Sequence, residues 1–180
     1  MGKIITAKRK EGEIERAHEY IKTYILFPSG LLGLLTMVVG VVALVYQLII
    51  GTYDLFTFAH SSGLLVAGIV LGLGQSAYHK FLLREYPQFF ANRMKTAQLR
   101  GAQRIKKSGS DVEVTHRGRG FVPVCYLLGI SLLIGLSIWS FSEGSLDYMA
   151  AFALPWAGFF WGKLFSWRKV IPPVVKSHKR

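Results

Sequence analysis

The sequence predicts an all-α membrane protein with four transmembrane helices in two antiparallel hairpins and both termini on the inner side of the membrane. Hydrophobic residues make up 51% of the 180 residues, and four long apolar runs divide the chain. All 22 Lys and Arg residues lie in three segments that flank two pairs of these runs. Because Lys and Arg close to membrane spans are retained on the cytoplasmic side, this alternation predicts an N-in, C-in topology.

Residues 1–26 form the inner-side leader of this arrangement. Part of the leader has apolar residues at helical spacing, namely Ile14, Ala17, Ile21, Tyr24 and Ile25. This spacing predicts an amphipathic helix lying at the inner membrane surface. A solvated helical extension of the first span is the alternative.

Residues 27–78 are predicted to form the first hairpin. The run from Phe27 to Ile50 has no charged residue in 24 positions, which is long enough for a helix to cross about 30 Å of hydrocarbon. The second run covers residues 56–78. Since only residues 51–55 join the two runs, they must turn back directly and pack as antiparallel neighbours.

Residues 79–120 are predicted to form a basic loop on the inner side. After Pro87, one helical face is mostly apolar and the remainder is mostly basic. The apolar face holds Phe90, Met94, Ala97, Gly101 and Ile105, and the basic residues are Arg93, Lys95, Arg100, Arg104, Lys106 and Lys107. A basic amphipathic helix of this kind is typical of segments that bind anionic lipid head groups. A solvated face, or docking on an acidic partner subunit, are the alternatives.

Residues 121–166 are predicted to form the second hairpin, with spans over residues 121–141 and 148–165. Pro155 should kink the fourth span, because a proline inside a helix removes one backbone hydrogen bond. Lys163 falls in the last turn of that span, where its ammonium group can reach the inner interface. Residues 167–180 follow as a basic inner-side tail.

The net charge of +12 is explained by this topology and does not indicate nucleic acid binding. The leader, the loop and the segment from Lys163 to Arg180 carry +2, +7 and +6, and the rest of the chain carries only Asp54, Glu143 and Asp147. We therefore expect the partners to be the lipid bilayer, its anionic head groups and other membrane subunits.

Three pairs of small residues, spaced four apart, are candidates for close helix packing. They are Gly68 and Gly72, Ser131 and Gly135, and Gly158 and Gly162. In lipid, small residues let helix backbones approach closely and gain dispersion contacts. Some of these faces could pack within the chain and others against helices of another subunit.

The sequence contains no strong catalytic, cofactor or metal-binding motif. Weak metal-binding candidates are Asp54, His60, Glu143 and Asp147 on the outer side, but they lack the close spacing of known motifs. No metal and no cofactor is predicted. His60 and His79 lie at opposite ends of the second span, so they cannot jointly ligate a haem. Cys125 is the only cysteine, which excludes an intramolecular disulfide.

These features favour a non-catalytic accessory, structural or assembly subunit of a larger membrane complex. The span interiors contain Gln, Ser and Thr but no ionisable residue, which argues against a proton-coupled carrier built from one chain. Two alternatives remain open: a small oligomeric transporter or channel, and a membrane-embedded enzyme with an outer-face acidic and histidine site. We expect a multi-pass protein of the bacterial inner membrane or an equivalent organellar membrane.

Overall fold

A computed structural model describes residues 12–100 and 118–168, and every regular element in these two ranges is a helix. The helices are α1 (Gly12–Ile49), α2 (Leu55–Glu85), α3 (Pro87–Arg100), α4 (Phe121–Ser142) and α5 (Tyr148–Trp167). The predicted all-α class is thus confirmed for the described part of the chain.

Three of these helices, α1, α2 and α4, are long and apolar enough to cross a membrane. Helix α5, the fourth predicted span, is not among them, because Pro155, Lys163 and several Trp and Gly residues lower its hydropathy. Its 20 residues still correspond to about 30 Å of helix, the thickness of a hydrocarbon core.

The position of α5 in the bundle explains its composition. Helix α5 packs against both α1 and α2, and nine of its 20 residues are buried, most of them Ala or Gly. A helix packed between two others has less surface in contact with lipid, although large residues such as Phe152 and Phe165 remain exposed on α5. Small side chains at its surface instead allow its neighbours to approach.

Helices α2 and α5 run parallel and cross at their paired glycines. A Cβ at Gly68 would meet the backbone oxygen of Pro155, and one at Gly72 would meet that of Phe159. In the same way, Gly158 faces the backbone oxygen of Leu65, and Gly162 faces that of Ile69. Each of the four glycines therefore faces a carbonyl group of the other helix, and residue numbers increase in the same direction along both helices.

Helix α1 runs antiparallel to α5 along the opposite side. A Cβ at Gly33 would lie 3.0 Å from Cβ of Phe160, whereas one at Gly40 would lie 2.8 Å from Cδ2 of Leu154. Residue numbers thus fall along α5 as they rise along α1. Together the contacts give a layer in which α5 separates α1 from α2. The prediction that these two helices pack against each other as neighbours was therefore wrong, because α5 inserts between them although only a short loop joins them.

Residues Gly12–Ile49 form one continuous helix, so the described part of the leader is a helical extension of the first span, the alternative to a separate surface helix. Residues Ile21–Leu26 form a π-helical segment in which the N–H of Phe27 donates to the carbonyl of Lys22, five residues earlier. Pro28 follows directly. A proline ring clashes with the carbonyl four residues before it, and the wider π turn gives that carbonyl room.

The described part of the predicted apolar face of α3 packs against protein. Phe90, Ala91 and Met94 are at most 5% exposed. Phe90 belongs to a buried cluster with residues of the leader, of α2 and of α5, namely Ala17, Ile21, Leu82 and Trp167. Phe90 and Met94 of the predicted face are therefore buried within the protein, whereas Gly101 and Ile105 lie outside the described residues.

Candidate functional site

The two short loops lie at the same end of the bundle. His60 in α2 contacts two residues at the end of α4: its Nε2 lies 3.4 Å from Oε2 of Glu143, and its ring meets that of Trp139 edge-on at 5.5 Å. We call this the acidic end, since Asp54, Glu143 and Asp147 are located there. The opposite end, which we call the basic end, carries Arg93 and Lys163.

Two of the predicted metal-binding candidates are helix caps. Oδ1 of Asp54 accepts hydrogen bonds from the backbone N–H of Thr57 at 2.7 Å and from its hydroxyl at 2.8 Å, and these bonds hold the pKa of Asp54 below its ordinary value. Asp147 accepts a hydrogen bond from the N–H of Met149 at 3.2 Å. Such bonds satisfy the unpaired N–H groups at the starts of α2 and α5.

The other two candidates, His60 and Glu143, form an interhelical pair. Nδ1 of His60 lies 2.9 Å from the carbonyl oxygen of Phe56, which accepts a hydrogen bond from this nitrogen in the tautomer that carries the proton there. Contact between Nε2 and a carboxylate is favourable only when a proton lies between them. The pair joins α2 to α4. Within residues 12–100 and 118–168, no three His, Cys, Asp or Glu side chains are grouped to hold a metal ion.

Helix α4 is held mainly at the acidic end. Its buried residues are Leu133, Ser137 and Ser140, all in the half that ends near His60. Toward the basic end α4 diverges from its neighbours, and a groove of about 760 Å³ opens between α2, α4 and α5. This volume is in the range of small-molecule and cofactor sites.

The wall of the groove is mostly apolar and includes aromatic residues of all three helices. Tyr78 of α2 and Tyr126 of α4 meet edge-on at 6.5 Å, and Trp156 and Phe159 of α5 meet edge-on at 5.9 Å. All four rings line the groove. Gly74 also lines it, and nothing in the described chain lies within 4 Å of where its Cβ would be.

Two buried polar atoms belong to residues of this wall. They are Oε1 of Gln75 and the hydroxyl of Tyr126, which lie near each other but are not within hydrogen-bond geometry. The sequence had shown only that the span interiors contain Gln, Ser and Thr, and it had not indicated Tyr126. No spacing in the sequence marks the groove, because it results from the divergence of α4.

Lys163 is located one helical turn beyond Phe159. Its Nζ lies 5.1 Å from the centre of the Phe159 ring, and the side chain is only partly exposed. No carboxylate among the described residues is paired with it. Lys163 is close enough to His79, a partly buried residue of α2, for its charge to act on that ring, so the basic end has cationic and polar groups below its surface.

The predicted basic surface of α3 is described only in part. Arg93 and Lys95 are exposed, and the Arg93 guanidinium lies 4.4 Å from the centre of the Phe89 ring. Arg100 is described by its backbone alone. Arg104, Lys106 and Lys107, like most of the C-terminal tail, lie outside the described residues.

The three small-residue pairs have different surroundings. Gly68, Gly72, Gly158 and Gly162 are buried in the contact between α2 and α5. By contrast, Ser131 and Gly135 on α4 are exposed, and no other part of the described chain comes within 4 Å of a Cβ position at Gly135.

No protein-family model, curated protein or solved structure matches the chain. The class of protein follows from the fold alone. In residues 12–100 and 118–168 every regular element is a helix and three helices are apolar enough to span a bilayer, which is consistent with a protein embedded in a membrane.

Proposed function

We propose that the chain is a non-catalytic accessory or assembly subunit of a larger membrane complex. The observation that supports this proposal is the open face of α4 at Ser131 and Gly135. Only three of the 22 residues of α4 are buried, whereas the comparable glycines of α2 and α5 are enclosed. Close backbone approach at small residues stabilises helix pairs in lipid, so an unoccupied small-residue face suits a helix of another subunit.

The acidic end supports a structural role more than a catalytic one. Asp54 and Asp147 cap helices, and His60 and Glu143 pair across α2 and α4. An enzyme site would need these groups to be available to a substrate or a metal ion. Each of them has a partner within the chain.

A small oligomeric transporter or channel is the second candidate. Oε1 of Gln47 and Oε1 of Gln75 are both buried without a hydrogen-bond partner among the described residues. Unsatisfied carbonyl groups inside a bundle are costly in hydrocarbon, and a hydrated path formed between copies of the chain would satisfy them.

We expect Gly135→Leu to remove the partner from the complex. When the tagged chain is purified in mild detergent from its native membrane, companion chains should copurify at a fixed ratio, because their helices pack on α4. A leucine at position 135 separates the two backbones and should abolish copurification without unfolding the chain, since the position is open.

Gly63→Leu is the matched control, because Gly63 is also helical and its Cβ position is also open. This variant should keep the companions. Recovery of the wild-type chain as a lone monomer would overturn the subunit proposal, and recovery as a homo-oligomer would favour the transporter.

We also propose four membrane crossings, with the basic end toward the cytoplasm or its equivalent. Single cysteines at Ser110 and Ser145, in a chain with Cys125→Ser, should react differently with an impermeant maleimide added from outside. Position 145 lies in the loop at the acidic end and should be labelled. Position 110 lies in the basic loop and should be labelled only after the membrane is opened. Labelling of position 110 in intact cells would contradict this orientation.

A further inference from the structure

We propose that the groove between α2, α4 and α5 is a binding site for an anionic phospholipid of the surrounding bilayer, with an acyl chain in the groove and the phosphate near Lys163. This site differs from the small-residue face of the proposed subunit contact. Ser131 and Gly135 point away from the groove, because residues two positions apart on a helix face nearly opposite directions and Gly129 and Leu133 line it.

The first argument is the medium that surrounds the groove. Its walls come from α2 and α4, two helices apolar enough to span the membrane, and from α5. An opening at this depth is in contact with hydrocarbon, and its mostly apolar wall does not favour water. Trp156 and Phe159 present aromatic surface on one side, which makes the groove suitable for a flexible hydrocarbon chain.

The second argument is the position of the polar atoms. The Gln75 carbonyl and the Tyr126 hydroxyl are buried at the groove without hydrogen-bond partners among the described residues. Both residues lie in the halves of their helices toward the basic end: Gln75 is within one turn of Tyr78, and Tyr126 is about one and a half turns from Phe121. The glycerol and ester groups of a phospholipid lie at a similar depth below its phosphate, so a lipid with its chain in the groove has polar groups close to these atoms.

The third argument is the charge at the basic end of the groove. Lys163 lies on the same helical face as Phe159 and one turn closer to this end, and it has no paired carboxylate among the described residues. Arg119 follows Gly118, which lines the groove, and is exposed. An ammonium group that is partly buried without a counter-ion is unfavourable. A lipid phosphate would supply that counter-ion.

The proposal can be tested by native mass spectrometry of the purified full-length chain. The protein would be stripped of lipid in detergent and then incubated with an equal mixture of phosphatidylglycerol and phosphatidylcholine that have identical chains. We expect each protein molecule to retain one lipid, and in most molecules this lipid should be phosphatidylglycerol. Gly74→Phe places a ring in the groove and should lose this lipid, whereas Gly63→Phe, at an open position of the same helix away from the groove, should keep it.

Lys163→Gln tests the phosphate contact separately. We expect this variant to retain lipid but to lose about fivefold in its preference for phosphatidylglycerol, the factor expected for one cationic group near an anionic lipid. An unchanged preference would overturn the placement of the phosphate. Equal lipid retention by Gly74→Phe and Gly63→Phe would overturn the groove as the site. Neither result depends on a partner subunit, since only the purified chain is present.

If Gly74→Phe does not fold, Cys125 provides a second measurement with the unaltered sequence. Its side chain is exposed and lines the groove. In nanodiscs of pure phosphatidylcholine an apolar maleimide should modify it at a steady rate, and replacing part of the lipid by phosphatidylglycerol should slow the reaction. The same rate in both compositions would contradict occupation of the groove by the anionic lipid.

Discussion

Gly68→Ala is expected to destabilise the bundle strongly, although it adds only one methyl group. That methyl would overlap the carbonyl oxygen of Pro155 and would lie 2.9 Å from the backbone nitrogen of Phe159. Backbone atoms of a helix cannot move aside independently as a side chain can, so α2 and α5 must separate along their whole contact. Overpacking in a well-packed core costs about 1 to 3 kcal/mol, and we expect a value near the upper limit.

The measurement is the free energy of unfolding in mixed micelles of a mild detergent and dodecyl sulfate. Gly63→Ala is the control, because no atom of the described chain outside its own helix lies within 4 Å of its Cβ position. Alanine has the higher helix propensity, so this variant should be as stable as the wild type or slightly more stable. Equal stability of the two variants would show that α2 and α5 do not cross at Gly68.

The contact between α2 and α5 could be predicted from the sequence only in part. The four-residue spacing of the glycines predicts faces suited to close packing, but it does not specify which faces meet. In the structure, Gly68 and Gly72 meet the helix that carries Gly158 and Gly162, and the two helices are parallel. That pairing depends on α5 lying between α1 and α2, an order that no local pattern records.

The surroundings of α5 also explain why its hydropathy is too low to identify it as a membrane span. Hydropathy measures how well a helix tolerates lipid, and α5 is partly shielded from lipid by the two helices on either side of it. Ala150, Ala151 and Ala157 are 0% exposed, so close packing determines this part of the sequence. Its role as a fourth crossing is therefore proposed from its length and its position between α1 and α2.

The candidate sites were predictable to different extents. The acidic residues could be assigned to one end of the bundle from their positions beside short loops, and the contact between His60 and Glu143 places them there. Their separate roles as caps depend on local backbone geometry. The groove could not be predicted, since it depends on the angle at which α4 leaves α2 and α5 rather than on any spacing.

The second large effect is expected for a substitution of Phe90, which lies in the buried cluster at the basic end. Phe90 is 2% exposed, and its ring lies 5.9 Å from that of Tyr20 and 6.3 Å from that of His79. It thereby connects α3 to the leader part of α1 and to α2. Phe90→Ala would remove the ring and leave a cavity, which typically costs about 3 to 5 kcal/mol.

We expect this loss to release α3 from the bundle while the long helices remain folded, because Phe90 has no contact with the crossing of α2 and α5. The measurement is the rate of tryptic cleavage after Arg93 and Lys95, which are exposed but held in a packed helix. Cleavage requires local unfolding, so its rate should rise steeply in Phe90→Ala. Phe56→Ala is the control, since that ring is 68% exposed and its removal should leave the rate unchanged. If Phe90→Ala is cleaved no faster than the control, α3 is held by its basic face on lipid, as the sequence first suggested, and not by the buried cluster.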